Sequence, residues 1–195
     1  MTKRLEFFFD FTSPTAYLAW ARLPGVVTRT GCEVVYRPFF LGGVMQATGN
    51  RPPGVVAAKG RWMAVDMARY AHRFGIDFAM NPHFPMNTLA AQRVAAAWVG
   101  DPRFEAYLAA VFRHAWRDGR NIGDKAVLSE LVASLGLDTE EFWAVAESPE
   151  TKALLKSNTD EAVERGAFGA PTFFLGEDMY FGQDRLDWIE DALKT

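Results

Sequence analysis

The sequence predicts an α/β protein in which one sheet domain, ordered β-α-β and then β-β-α, is interrupted by a long all-helical insertion. Three observations carry this. The apolar run Phe7-Phe8-Phe9 stops at Asp10 and gives way to a helical pattern opened by Pro14, and a second β-rich run starts at Glu33. The β signal is then absent from residue 41 to residue 166. It returns in the apolar run 171–175 and the short aromatic run 179–181, before a last amphipathic stretch. Each flank alone has too few strands to stand free, so 1–40 and 167–195 are assigned to one sheet domain and 41–166 to a helical insertion.

Residues 5–9 form the first strand. A helix over 14–30 follows, because proline suits a first helical position where its missing N–H has no partner anyway. Ser13 falls at its N-cap, among unpaired N–H groups and at the positive end of the helix dipole. Pro24-Gly25 is placed to kink this helix or end it early. Residues 33–37 are the second strand, and the three elements make a right-handed βαβ unit.

From Gly42-Gly43 to Gly54 the chain reads as a Gly/Pro-rich loop. Helices are expected over 58–74 and 88–99, separated by a breaker-rich loop at 81–87. Phe104, Tyr107, Leu108, Val111, Phe112, Ala115 and Trp116 recur with helical period along one face. Helices over 125–135, 139–146 and 150–165 complete the block, and Trp62, Trp98, Trp116, Trp143 and Trp188 read mostly as core. Gly176-Glu177-Asp178 then turns a hairpin. Asp184 is placed to cap a last helix with Leu186, Ile189, Ala192 and Leu193 inward.

Composition narrows the function. With 49% hydrophobic residues the chain can bury a core without staples. A net charge of −3 and the lack of a basic run argue against nucleic acid as a partner. No apolar stretch reaches the roughly 18 residues of a membrane span. The N-terminal apolar run is too short for a signal peptide and is broken by Asp10, so a cytoplasmic location is expected. Cys32 is the only cysteine, which excludes an intrachain disulfide, a CxxC pair and a cysteine-based metal site. It reads as a half-buried strand thiol. His72, His83 and His114 show no metal-ligand spacing, so no metal is expected.

A β-α-β half and a β-β-α half, with a turn and helix start after the first strand, is the thioredoxin arrangement. Gly169-Ala170-Pro171-Thr172 supports it, because that fold carries a cis-proline just before its third strand. Four stretches then resemble the DsbA-like group that contains 2-hydroxychromene-2-carboxylate isomerases and kappa-class glutathione transferases. They are Phe9-Asp10-Phe11-Thr12-Ser13-Pro14 with Tyr17-Leu18-Ala19, Gly49-Asn50-Arg51-Pro52-Pro53, Phe168-Gly169-Ala170-Pro171-Thr172-Phe173, and Phe181-Gly182-Gln183-Asp184-Arg185-Leu186.

The resemblance implies a glutathione site. Ser13 stands where redox relatives carry a cysteine, and Ala16 where they carry the second, so dithiol exchange is excluded. Ser13 is then the catalytic residue, holding the thiolate of bound glutathione. Asn50, Lys59, Ala170, Pro171, Gln183 and Asp184 are the remaining glutathione contacts; the lesser reading of Lys59 is a solvated helix lysine, and Asp184 can cap its helix as well as bind. The Ala170 N–H and C=O are expected to bind the cysteinyl backbone in strand fashion. Asn87, His83 and Arg51 are candidates for the second substrate, a small aromatic molecule. The chain departs from the isomerase pattern in two places. Phe84-Pro85 replaces a pair of arginines suited to a substrate carboxylate, a charge that Arg51 or Arg37 is left to supply, and Thr15 replaces an aromatic. The expected activity is glutathione-dependent isomerisation in aromatic catabolism. A kappa-type transferase or peroxidase is the alternative, and a non-catalytic thioredoxin-fold binding protein the third. A homodimer is expected.

Overall fold

The computed structural model describes residues 2–194. Strands β1 (Arg4–Phe9), β2 (Glu33–Pro38), β3 (Thr172–Leu175) and β4 (Asp178–Phe181) form one sheet in the order β2-β1-β3-β4. β1 and β2 are parallel and joined across helix α1 (Pro14–Thr30); β1 with β3, and β3 with β4, are antiparallel. The middle of the chain supplies α2 (Leu41–Thr48), α3 (Ala57–Phe74), α4 (Leu89–Trp98), α5 (Phe104–Trp116), α6 (Lys125–Ser134), α7 (Thr139–Glu147) and α8 (Pro149–Glu164). Helix α9 (Leu186–Lys194) closes the described chain.

Alternation along β1 sorts the core. Phe7 and Phe9 point to one face, where Phe7 stacks on Phe173 at 5.1 Å and Phe9 meets Phe112 of α5 at 5.5 Å. Phe8 points to the other, against Phe39, Val44 and Phe174. The first cluster runs without a break from Leu5 and Phe7 to Tyr107, Trp116 and Phe142, so strand and helical segments share one core. On the second face Arg165 pairs with Glu6 at 2.7 Å, lies 3.8 Å over the Phe174 ring, and shares Glu161 with Arg37.

The expected loop from Gly42 contains a helix. Its first N–H groups are met from outside: Leu41 N–H donates to Asp10 Oδ2 at 2.9 Å and Phe40 N–H to Thr159 Oγ1 at 2.9 Å. A side chain at Gly42 would strike the Phe40 ring at 2.6 Å, so the glycine that weakens helix propensity is what lets the turn pack. The helix ends at Gly49 with φ of 72°. Pro24-Gly25 does not end α1, which runs on to Gly31 at φ 69°. Asp184 is not a cap; it lies inside a 3-10 turn, Gln183–Arg185, and pairs with Arg185 at 2.9 Å. Trp98 and Trp116 are core, but Trp62 and Trp188 are exposed. Cys32 is buried beside the start of β2. Among the described residues no helix is long and apolar enough to cross a membrane, and no group of three or more His, Cys, Asp or Glu side chains is set to hold a metal.

Candidate active site

The site grows from the turn between β1 and α1. Its foundation is Asp10, whose side chain has no solvent exposure. Oδ1 accepts from the Thr12 N–H at 3.0 Å and the Thr88 hydroxyl at 2.6 Å, and Oδ2 accepts from the Leu41 N–H. Burial pushes this carboxyl above its ordinary pKa, while the three donors pull the other way. One carboxylate thus ties the turn to the starts of α2 and α4. Gln92 of α4 adds a second clamp: its amide donates to the Phe9 carbonyl and accepts from the Phe11 N–H at 3.2 Å.

On this base Ser13 caps α1. Its Oγ accepts from the Ala16 N–H at 3.1 Å, and the residue is buried. The same Oγ lies 3.1 Å from the Ala170 carbonyl oxygen and donates to it. The Ala170–Pro171 peptide bond is cis. Thr15 joins the pair, with its Oγ1 3.0 Å from Ser13 Oγ and 3.0 Å from the Ala170 oxygen. The two lone pairs of that carbonyl already face hydroxyls, so a ligand N–H that uses it displaces one of them.

The cis-proline loop collects further candidates. Asn50 donates from Nδ2 to the Phe168 carbonyl at 2.7 Å. The Gly182 N–H donates to the Pro171 carbonyl at 3.0 Å, which brings the 3-10 turn holding Gln183 and Asp184 beside the loop. Gln183 is buried, its carbonyl accepts from Arg22 at 3.1 Å, and its Oε1 has no hydrogen-bond partner among the described residues. Ser13, Asn50, Ala170, Pro171, Gln183 and Asp184 are therefore drawn into one neighbourhood.

The other candidates lie farther out. The Thr12 hydroxyl donates to the Met86 carbonyl at 3.4 Å, which brings the segment of Asn87 to the turn; Asn87 itself is exposed and binds the Leu89 N–H. His83 is exposed, as are Arg51 and Lys59, and no side-chain partner ties any of the three to Ser13 among the described residues. Arg37 is paired with Glu161 of α8. Asp10, Thr15, Thr88 and Gln92 carry no site role in the sequence alone. An acidic residue closing an apolar run was the one available signal for the first; the others are recognisable only by what they touch.

Comparison with known proteins shows the family. A family model described as a DSBA-like thioredoxin domain matches residues 4–194. A 2-hydroxychromene-2-carboxylate isomerase of Sphingobium xenophagum is 31% identical over 195 residues, covering 99% of each chain. Glutathione S-transferase kappa 1 of Caenorhabditis elegans is 29% identical, covering 98% of this chain and 91% of that protein. A solved structure of 2-hydroxychromene-2-carboxylate isomerase superposes with a TM-score of 0.88 at 29% identity, over 97% of this chain and 94% of that one. With a family model matched over residues 4–194 and a relative 31% identical along its whole length, the chain belongs to the DsbA-like thioredoxin-domain family.

Proposed function

We propose that this chain is a glutathione-dependent isomerase of the 2-hydroxychromene-2-carboxylate type, working in cytoplasmic aromatic catabolism. The observation that carries the reading is the Ser13 hydroxyl, buried at the N-terminus of α1 and aimed at the cis-Pro171 loop, with no protein thiol near it. Cys32 adjoins Glu33, which pairs with Arg4 at the far end of β1, so the sulfur for such a site comes from a ligand.

When bound, glutathione supplies a sulfur that adds reversibly to an activated double bond, permits rotation about the resulting single bond, and departs, so that the tripeptide is regenerated. Ser13 stabilises that sulfur as an anion. Lowering a thiol pKa from about 8.5 by two units needs about 2.7 kcal/mol. A hydrogen bond from Ser13 to a charged group contributes about 1.5–3 kcal/mol and the helix terminus about 0.3–1 kcal/mol, which suffices without a general base. In this reading Asn50, Lys59, Ala170, Pro171, Gln183 and Asp184 hold the tripeptide, and Asn87, His83 and Arg51 border the aromatic substrate. On the same reading a second copy of the chain covers the exposed Val55 and Val56, just before α3, with Trp62 and Val65 in its first half.

A kappa-type transferase is the second reading. Phe84, partly exposed with its ring 5.8 Å from Trp116, favours it, because an apolar side chain stands where a substrate carboxylate calls for cations. Incubation with glutathione and the chromene carboxylate, in parallel with an electrophilic aryl halide, separates them. Isomerisation without loss of glutathione supports the isomerase; stoichiometric conjugation supports the transferase. Neither, together with no calorimetric binding of glutathione, leaves a non-catalytic fold. Ser13→Ala is expected to raise the pKa of bound glutathione by about 1–2 units and to lower kcat by about 10–100-fold, with the fold retained. An unchanged ultraviolet thiolate titration would remove Ser13 from this role.

A further inference from the structure

Ser13 and Thr15 converge on one acceptor. Ser13 Oγ, Thr15 Oγ1 and the Ala170 carbonyl oxygen form a triangle with edges of 3.0, 3.1 and 3.0 Å. Three edges have hydrogen-bond length, but the two hydroxyls carry only two protons. If both protons point at the carbonyl, the hydroxyl oxygens face each other with none between them. If they do not, one hydroxyl reaches the carbonyl and the other donates to it. Ser13 Oγ also accepts from the Ala16 N–H at 3.1 Å, which holds the oxygen in place and leaves only its proton free to turn.

That proton has to leave the triangle for Ser13 to donate to a sulfur. Ala170 is buried, and its carbonyl oxygen then loses one of its two hydroxyl partners. Thr15 is already at bonding distance from it. We propose that Thr15 is a positioning residue of the thiolate site: its hydroxyl holds the Ala170 carbonyl and so releases the Ser13 proton to a thiolate sulfur. The proposal rests on the reading of Ser13 as a thiolate donor and deepens it. It concerns a feature of this chain, since Thr15 stands where the resemblance calls for an aromatic.

Thr15→Val keeps the shape and removes the hydroxyl; Thr15→Ser keeps the hydroxyl. The probes are glutathione and S-methylglutathione, whose sulfur does not ionise. In Thr15→Val the thiol of bound glutathione is expected to titrate about one pKa unit higher, about tenfold less thiolate at a given pH. Thr15→Ser restores it, and affinity for S-methylglutathione stays the same in all three proteins. An unchanged titration in Thr15→Val overturns the proposal. So does a loss of S-methylglutathione affinity as large as that for glutathione, which makes Thr15 a packing residue.

A second arm uses the Ser13→Ala background, where no Ser13 proton remains to be released. There Thr15→Val is expected to leave the titration of bound glutathione unchanged; a further rise of about one unit overturns the proposal. If Ser13→Ala itself leaves that titration unchanged, the functional reading of Ser13 fails and this proposal with it, whereas a rise in Ser13→Ala but not in Thr15→Val overturns this proposal alone.

Discussion

The turn at residues 10–16 and the segment at residues 50–59 both carry proposed glutathione contacts, and they are built in opposite ways. In the turn every polar side chain is already engaged. Asp10 has three donors, Ser13 has the Ala16 N–H and the Ala170 carbonyl, and Thr15 shares that carbonyl. In the second segment Asn50, Arg51 and Lys59 are exposed, and Asn50 reaches the rest of the site by one hydrogen bond to Phe168. A preorganised turn stabilises charge at no further ordering cost, as transition-state stabilisation requires. Exposed contacts have to be ordered by the ligand and contribute affinity net of that cost.

The sharpest way to break this contrast is Asp10→Ala. It leaves three donors unpaired in a dry site, offset in part by removal of a buried charge, and should cost about 2–4 kcal/mol in urea unfolding. Asp10→Asn offers little rescue: turned either way, its amide N–H₂ faces the Leu41 N–H or the Thr12 N–H. The acid also has a pH signature. Because burial raises its folded pKa, its stabilising contribution is full below the unfolded value of about 3.9 and declines as pH rises through the folded one. Unfolding measured from about pH 4 upward should show that downward slope in the wild type and not in Asp10→Ala. Glu190 runs the other way. Arg29 and Lys194 hold it down to about 2, so its contribution is present above the unfolded value and lost on acidification toward 2.

Asn50→Ala should act less on the fold and more on the ligand. The loss of one exposed hydrogen bond is worth about 1 kcal/mol or less in stability, with about tenfold weaker glutathione binding by calorimetry. A stability loss as large as that of Asp10→Ala would show that the segment is as preorganised as the turn. Lys59→Met should be the smallest: unfolding within about 0.5 kcal/mol of wild type, and glutathione affinity down by about two- to fivefold at low salt, converging at high salt. No change at any ionic strength would return Lys59 to the solvated helix surface.

Local chemistry was legible in the sequence wherever a signal was confined to a few residues. Ser13 and Pro14 open α1 as their capping roles demand, and the apolar period from Phe104 to Trp116 matches α5 over its whole length. The DsbA-like fold was readable too, because four short motifs kept their order along the chain and the family match spans them. Where two local preferences competed with packing, packing won. Gly42-Gly43 reads as loop but forms a helix because Asp10 and Thr159 supply the donors' partners and Phe40 needs the space. Trp62 and Trp188 sit at helical positions yet face outward, since periodicity marks a face without saying what it meets.

By itself, then, the sequence determined which residues begin and end most helices, that one cysteine cannot sustain redox exchange, and that a serine occupies the first turn of α1. Backbone sterics, capping and thiol chemistry act over a handful of residues, so they are written locally. Only the tertiary structure decided that Asp10 joins three elements through one carboxylate, that Arg37 is spent on Glu161, and that Ser13 and Thr15 meet on the carbonyl of Ala170. Those contacts join residues far apart in the chain, and a hydrogen bond of about 3 Å depends on how whole layers pack, which no short stretch of sequence encodes.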